Sequence, residues 1–283
     1  MTAAGGGHEA SVETWSGKDR GDENFPVGSL LIAKKFRDPI HRFYAFARNA
    51  DDIADSPVLA PEDKITRLNM MEEVLLGARD DGSPSALALR QSLAQTGLSA
   101  RYGTDLLIAF RADATKSRYA TIDELYDYCH YSAVPVGRYV LDLHGESHDC
   151  YSPSDALCIS LQILNHIQDC ANDFENLNRC YLPDALLAHF GAKHDDLRRP
   201  AETPALRRVF ITLLDRINRL NHAASELPEL VHDRRLRLET AVIHGLAKRL
   251  ANRLWRDDPI ARRVKLSTGD FISSALASLQ FLI

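Results

Sequence analysis

Leu161-Gln162-Ile163-Leu164-Asn165-His166-Ile167-Gln168-Asp169-Cys170-Ala171-Asn172-Asp173 lies within a helix expected over 152–174. Ser152-Pro153 opens it, where proline's missing N–H costs least. Leu157, Ile159, Leu161, Ile163, Leu164 and Ile167 spread around its whole circumference, and a helix apolar all round belongs at the centre of a bundle. Yet Asn165, Asp169 and Asp173 stand at i, i+4 and i+8, one polar stripe along that interior helix. Carboxylates buried there are costly unless paired, protonated or metal-bound. Interhelical salt bridges to Arg or Lys are one resolution, and a divalent cation is another.

Working outward, a second acidic stretch lies at Arg48-Asn49-Ala50-Asp51-Asp52-Ile53-Ala54-Asp55. On the helix expected over 37–53, Asp51 and Asp55 project from one face about one turn apart. Like charges at that spacing destabilise a helix by roughly a few tenths of a kcal/mol. They also lie in its last turn, the negative end of the helix dipole. A solvated acidic helix end is the plain reading. A hard cation shared with the interior stripe would resolve the repulsion, since magnesium takes one or two carboxylates plus waters and phosphate oxygens.

The remaining periodicity is helical. Ile40, Phe43, Tyr44, Ala47 and Ala50 give the first helix its stripe, with Pro39 near its start and Ser56-Pro57 ending it. Further helices are expected over 61–76, 84–95, 99–112, 121–143, 204–227 and 234–253, with a last one after Ser267. Asp80 to Pro84 forms a loop, and Thr121-Ile122-Asp123-Glu124 is a capping box. No strand-like alternation, solenoid repeat or interdomain linker is visible. The expected organisation is one all-α domain over 24–283 behind a disordered lead-in over 1–23.

The bulk numbers exclude more than they assign. Hydrophobic residues at 45% and charged residues at 26% are ordinary for a globular chain, and a net charge of −5 offers nucleic acid no basic field. Five cysteines without a CxxC pair suggest neither a disulfide framework nor a zinc site, and Cys129 and Cys170 read as small buried hydrophobes. The N-terminus lacks the apolar stretch of a signal peptide, and no run reaches the ~20 residues of a membrane span. A cytoplasmic protein with reduced thiols is expected. The final stretch, with Phe271, Ile272, Leu276, Leu279, Phe281 and Leu282, could pack on the bundle or rest on the inner face of a membrane.

Four segments in order carry a resemblance to the squalene/phytoene synthase family, over about 24–282. They are Tyr44-Ala-Phe-Ala-Arg48-Asn-Ala-Asp51-Asp52-Ile-Ala-Asp55, Tyr128-Cys-His-Tyr-Ser-Ala133-Val-Pro-Val136-Gly137, Gln162 to Asp173, and Arg179-Cys-Tyr181-Leu-Pro183. The resemblance implies an isoprenoid synthase helical bundle around a central apolar cavity. It implies Mg2+ held by Asp51, Asp55, Asp169 and Asp173 with Asn165 accessory, and a prenyl diphosphate as substrate. Arg48 is implied to contact the diphosphate, and Arg179 and Tyr181 to close over that end. Tyr44, Tyr128 and Gln162 lie in the matched segments as substrate contacts. Ala133, Val136 and Gly137 are implied to let a prenyl chain approach the backbone. A mid-helix glycine costs about 1 kcal/mol against alanine, so Gly137 needs such a reason or tight helix packing.

Departures narrow the resemblance. Synthases that join two prenyl diphosphates mostly carry Arg-Asp and Glu-Asp where this chain has Gln168-Asp169 and Asn172-Asp173. Their basic, serine-rich entrance is replaced by Glu23-Asn24-Phe25-Pro26-Val27-Gly28-Ser29. Fewer cations imply weaker provision for a second diphosphate. The chain is similar instead to the bacterial branch that takes presqualene diphosphate and water to hydroxysqualene, supplying squalene and hopanoid biosynthesis without NADPH. Phe25, Phe43, Tyr44 and Phe46 are candidates for stabilising a cation, and Asn165, Tyr128 and Tyr44 for holding the water. Condensation of two prenyl diphosphates, to presqualene diphosphate, squalene or phytoene, is the alternative within the class. A non-catalytic helical partner of other pathway enzymes is the alternative outside it.

Overall fold

The computed structural model describes residues 11–13 and 31–282, and α-helices account for most of them. In chain order they are α1 (Lys34–Ala54), α2 (Pro61–Leu76), α3 (Pro84–Thr96), α4 (Arg101–Thr115), α5 (Ile122–Ser132) and α6 (Val134–His144). Then follow α7 (Tyr151–Leu177), α8 (Asp184–Phe190), α9 (Pro204–Ala223), α10 (Leu227–Leu230), α11 (Arg234–Leu254) and α12 (Thr268–Ser278). Among the described residues, extended pairing is limited to one isolated parallel bridge, Arg118 to Cys180.

The all-round apolar character of α7 places it where the sequence demands. Leu157, Ile163, Leu164, Ile167, Cys170 and Phe174 are buried, and the helix packs on α5, α6, α9 and α11. α1 instead packs on α2, α3 and α4. Helices α4, α5 and α6 join the two groups, so the carboxylate-bearing α1 and α7 stand on opposite sides of a central space. Cys129 and Cys170 are buried thiols, as expected.

Several expectations are corrected. α1 begins three residues before the expected 37, so Pro39 lies inside it rather than in its first turn. The expected single helix over 121–143 is two. Ala133, at φ −127° and ψ −42°, leaves helical geometry, and Pro135 then sits in the first turn of α6. Thr121 does cap α5, but Glu124 takes the N–H of Ala120 instead of closing a reciprocal box. The helix expected over 204–227 ends at Ala223, and α8 was not expected. Within the lead-in expected to be disordered, residues 11–13 are pinned. Glu13 accepts from Ser83 Oγ, Ser85 N and Ser85 Oγ, and Val12 N donates to Gly82 O. The rest of that lead-in and the 23–29 entrance, with Phe25, lie outside the described residues.

α12 is built inside out. Ser274 and Ser278 are buried against the bundle, and a Cβ on Gly245 of α11 would lie 3.2 Å from Ser274. Phe271, Ile272, Leu276 and Leu279 face outward. Among the described residues, no helix is long and apolar enough to cross a membrane.

Candidate active site

An apolar cavity of about 270 Å³ fills the space between α1, α6, α7 and α11. Phe43, Tyr44 and Ala47 line it from α1, and Leu157, Cys158 and Leu161 from α7. On both helices the next turns carry the polar groups. Arg48, Asp51 and Asp55 follow Ala47, and Asn165, Asp169 and Asp173 follow Leu161. Helical spacing therefore puts an acidic mouth at one end of an oily chamber. Gln162 is half-buried one turn before Asn165.

The two acidic stripes sense each other. Burial first, and then Asp169 and Asp55, push the Asp173 carboxyl up to about 7. Burial and Asp55 raise Asp51 well above its ordinary value, against the pull of Arg48. A third of the Asp51 side chain is accessible. Burial of the rest still costs the carboxylate water.

Arginines stand against three of the four carboxylates. Arg48 approaches Asp51 at 3.2 Å and the buried Asp52 at 2.7 Å. Arg179 Nη1 donates to Asp55 at 2.7 Å. Arg263, from the loop between α11 and α12, binds Asp169 through Nε and, at 2.8 Å, Nη2. Salt bridges to arginine, considered from sequence, thus exist, but Arg48 lies on α1 itself and Arg179 and Arg263 come from loops rather than from a facing helix. Burial first, and then the neighbouring carboxylates, still hold Asp51 and Asp173 raised. Among the described residues, no three His, Cys, Asp or Glu groups form a ready metal cage. Sparse carboxylates on facing helices fit magnesium, which completes its shell with waters and phosphate oxygens.

Beneath the mouth lies a network that the motifs did not disclose. Asp113 of α4 is buried, and it accepts from Tyr128 Oη at 2.7 Å and Tyr181 Oη at 2.8 Å. Arg179 Nη2 donates to the Asp113 carbonyl at 2.8 Å, with Nε 3.6 Å from its carboxylate. Burial lifts Asp113 to about 6 despite Arg179 and both hydroxyls. Burial opposes the charge of Arg179, but Asp113, Tyr181 and Asp55 outweigh it and hold the guanidinium's pKa above its ordinary value. Segments 117–120 and 180–185 are stitched by Cys180 N to Ser117 O, Asp184 N to Tyr119 O and Ala185 N to Ala120 O. That stitching turns Arg179 and Tyr181 inward. His166 stacks on Tyr181 with centroids 3.6 Å apart, and burial drops its pKa to about 3, so it stays neutral.

Sequence reasoning missed Asp113, Lys64 and Arg263. Asp113 had a visible signal, a carboxylate in register with buried Leu106, Ala109 and Phe110 on one face of α4. Lys64 reaches the Ala54 carbonyl at 2.8 Å, and burial and then Arg179 lower its pKa. Arg263 had no local signal. Three readings are corrected. Gln168 is buried with its amide donating to the Val264 carbonyl, on a different side of α7 from Asp169. Its lack of charge therefore says little about the mouth, where Arg263 supplies a guanidinium instead. Phe46 is fully buried and does not line the cavity, unlike Phe43 and Tyr44. Ala133 is the break between helices, whereas Val136 and Gly137 line the chamber.

A Cβ on Gly137 would lie 2.6 Å from both Cys158 Sγ and Ser154 Oγ. Close approach thus explains the glycine. Gly137→Val is expected to cost about 1–3 kcal/mol by overpacking and to raise KM for any substrate whose apolar chain fills the chamber. A variant with unchanged melting and KM would remove Gly137 from the chamber wall's specificity.

Comparison with known proteins follows the same lines. A family profile described as squalene/phytoene synthase matches residues 18–270. A hydroxysqualene synthase of Rhodopseudomonas palustris is 44% identical over 95% of this chain and 92% of its own. One from Zymomonas mobilis is 41% identical over 93% and 89%. A crystal structure of a squalene synthase from Alicyclobacillus acidocaldarius is 34% identical with TM-score 0.71, covering 80% of this chain and 85% of its own.

Proposed function

The chain belongs to the squalene/phytoene synthase family, and from that premise we propose that it is a hydroxysqualene synthase. It converts presqualene diphosphate and water to hydroxysqualene and diphosphate. The observation that carries this is the apolar chamber running straight into two facing acidic stripes. The similarity to hydroxysqualene synthases over nearly the whole chain supports the branch.

Asp51, Asp55, Asp169 and Asp173, with Asn165, would hold Mg2+. Bound there, the metal supplies Lewis-acid neutralisation of charge on the departing diphosphate. Arg48, Arg179 and Arg263 are positioned to pass from carboxylate to phosphate oxygens as that charge develops. The C–O bond to the diphosphate breaks with its electron pair going to the phosphate oxygen. Phe43 and Tyr44, in the chamber wall, supply aromatic surface near the carbocation left behind, and the apolar wall keeps bulk water from it. One water adds its oxygen to the rearranged cation and loses a proton. No reductant enters that balance. Of the groups considered for holding the water, Tyr128 commits its hydroxyl to Asp113, whereas Tyr44 lies in the chamber wall.

Lys64 and Arg263 make the mouth richer in cations than the motifs suggest, which favours one second reading, condensation of two farnesyl diphosphates. Product analysis separates the two. Presqualene diphosphate offered without NADPH in labelled water should yield a hydroxylated thirty-carbon product carrying the label. Chelator should stop diphosphate release and magnesium restore it, which a non-catalytic partner subunit could not show. Farnesyl diphosphate alone should give little coupled product. Efficient coupling would move the assignment to the second reading.

A further inference from the structure

The outward face of α12 has no counterpart in the bundle's design. Its serines face inward and allow close approach to α11, while Ile272 and Leu276 are 57% and 62% exposed. Phe271 and Leu279 extend the same face. No charged side chain interrupts it, since Asp270 is turned in and bound by Arg253 and Ser267.

The surroundings of this face carry a charge opposite to that of the chain. Residues 248–283 hold seven Lys and Arg against three Asp, in a protein of net charge −5. Asp258 is committed to the N–H groups of Glu202, Ile260 and Ala261. Arg256, Arg262 and Lys265 are exposed, Arg262 with Asp257 3.6 Å away, and Trp255 at the end of α11 is 39% exposed. An apolar helix face with a basic rim and a part-exposed tryptophan has the composition of an interfacial anchor. A second copy of this chain would oppose one basic rim to another. An anionic surface suits both the rim and the face. At eleven residues, α12 is too short to span a bilayer and suited to lie in its plane.

We propose that α12 docks the protein on the anionic face of a lipid bilayer. The loop that leads into α12 also carries Arg263 and the Val264 carbonyl, which touch Asp169 and Gln168. Docking therefore sets the mouth of the chamber beside the bilayer. The benefit to lipid substrates rests on the proposed function, but docking itself is measured without any substrate.

The test is flotation of the full chain with phosphatidylcholine vesicles, with and without phosphatidylglycerol. The wild type should bind the phosphatidylglycerol vesicles, and salt should weaken that binding. Ile272→Ser with Leu276→Ser should lose about tenfold or more in partition at unchanged melting temperature, because both residues face outward. Arg262→Gln with Lys265→Gln should lose about tenfold on phosphatidylglycerol vesicles alone, each basic group contributing up to about fivefold. Absence of wild-type binding, or binding indifferent to the apolar pair, would overturn the proposal. A concentration-dependent dimer abolished by the Ile272/Leu276 pair, without vesicle binding, would assign the face to a second copy.

Discussion

Asp173→Asn and Asp51→Asn are each expected to lower turnover about a thousandfold or more while leaving the protein as stable as before, or more so. The activity loss follows from removing a carboxylate from the proposed metal mouth, where electrostatic stabilisation of the leaving group is concentrated. The stability gain follows from burial. The Asp173 carboxyl is raised from its ordinary 3.8 to about 7, so the folded chain holds this proton more tightly than the unfolded one. That contribution is present at acid pH and is lost as pH rises from about 4 to about 7. In chelator, the wild type should therefore melt progressively lower across that window, and Asp173→Asn should flatten the slope. Melting curves from pH 4 to 8, with turnover at saturating magnesium, read both effects. Full turnover in either variant would remove its carboxylate from the metal site. A melting temperature well below wild type at pH 8 would mean that Asp173 stabilises the fold.

Asp113→Ala should do the opposite, losing stability and activity together. It would strip a buried carboxylate from Tyr128, Tyr181 and Arg179, leaving two phenols and a guanidinium without that acceptor. Breaking a buried charge pair from one side costs about 3–5 kcal/mol. For a chain of this size each kcal/mol shifts melting by about 2–4 °C, so a fall of about 6 °C or more is expected. Arg179 keeps its bond to the carbonyl of residue 113 but loses the neighbouring carboxylate, so kcat should fall more than KM changes. Asp113→Asn preserves the shape and one acceptor oxygen and should retain more of both properties. Wild-type melting and kcat in Asp113→Ala would show that the mouth holds itself together without α4.

The acidic stripes and the helical fold were legible because helical geometry is local. Asn165, Asp169 and Asp173 fall on one face of α7 whatever surrounds it. Gly137 was legible through its intrinsic cost, and Cys158 and Ser154 supply the reason. The break at Ala133 was not legible, because residues 122–144 have one continuous periodicity and Pro135 could have been absorbed as a kink. The inference from Gln168 failed for a related reason. Adjacent residues on a helix differ by about 100° in direction, so its charge could not be assigned to the direction of Asp169. The cation that does meet Asp169 comes from Arg263, ninety-four residues later. Only tertiary structure brings those two together.

Arg179 reaches back 124 residues to Asp55 and 66 to Asp113. During synthesis from the N-terminus, α1 and α4 are complete well before that guanidinium leaves the ribosome. Until then Asp55 and Asp113 lack the guanidinium that later faces them, whereas Asp51 already has Arg48. The mouth is therefore completed late, once the chain from α4 through α5, α6 and α7 has packed. We expect these late contacts to be absent from the folding transition state, so that mutations at Arg179 speed unfolding more than they slow folding.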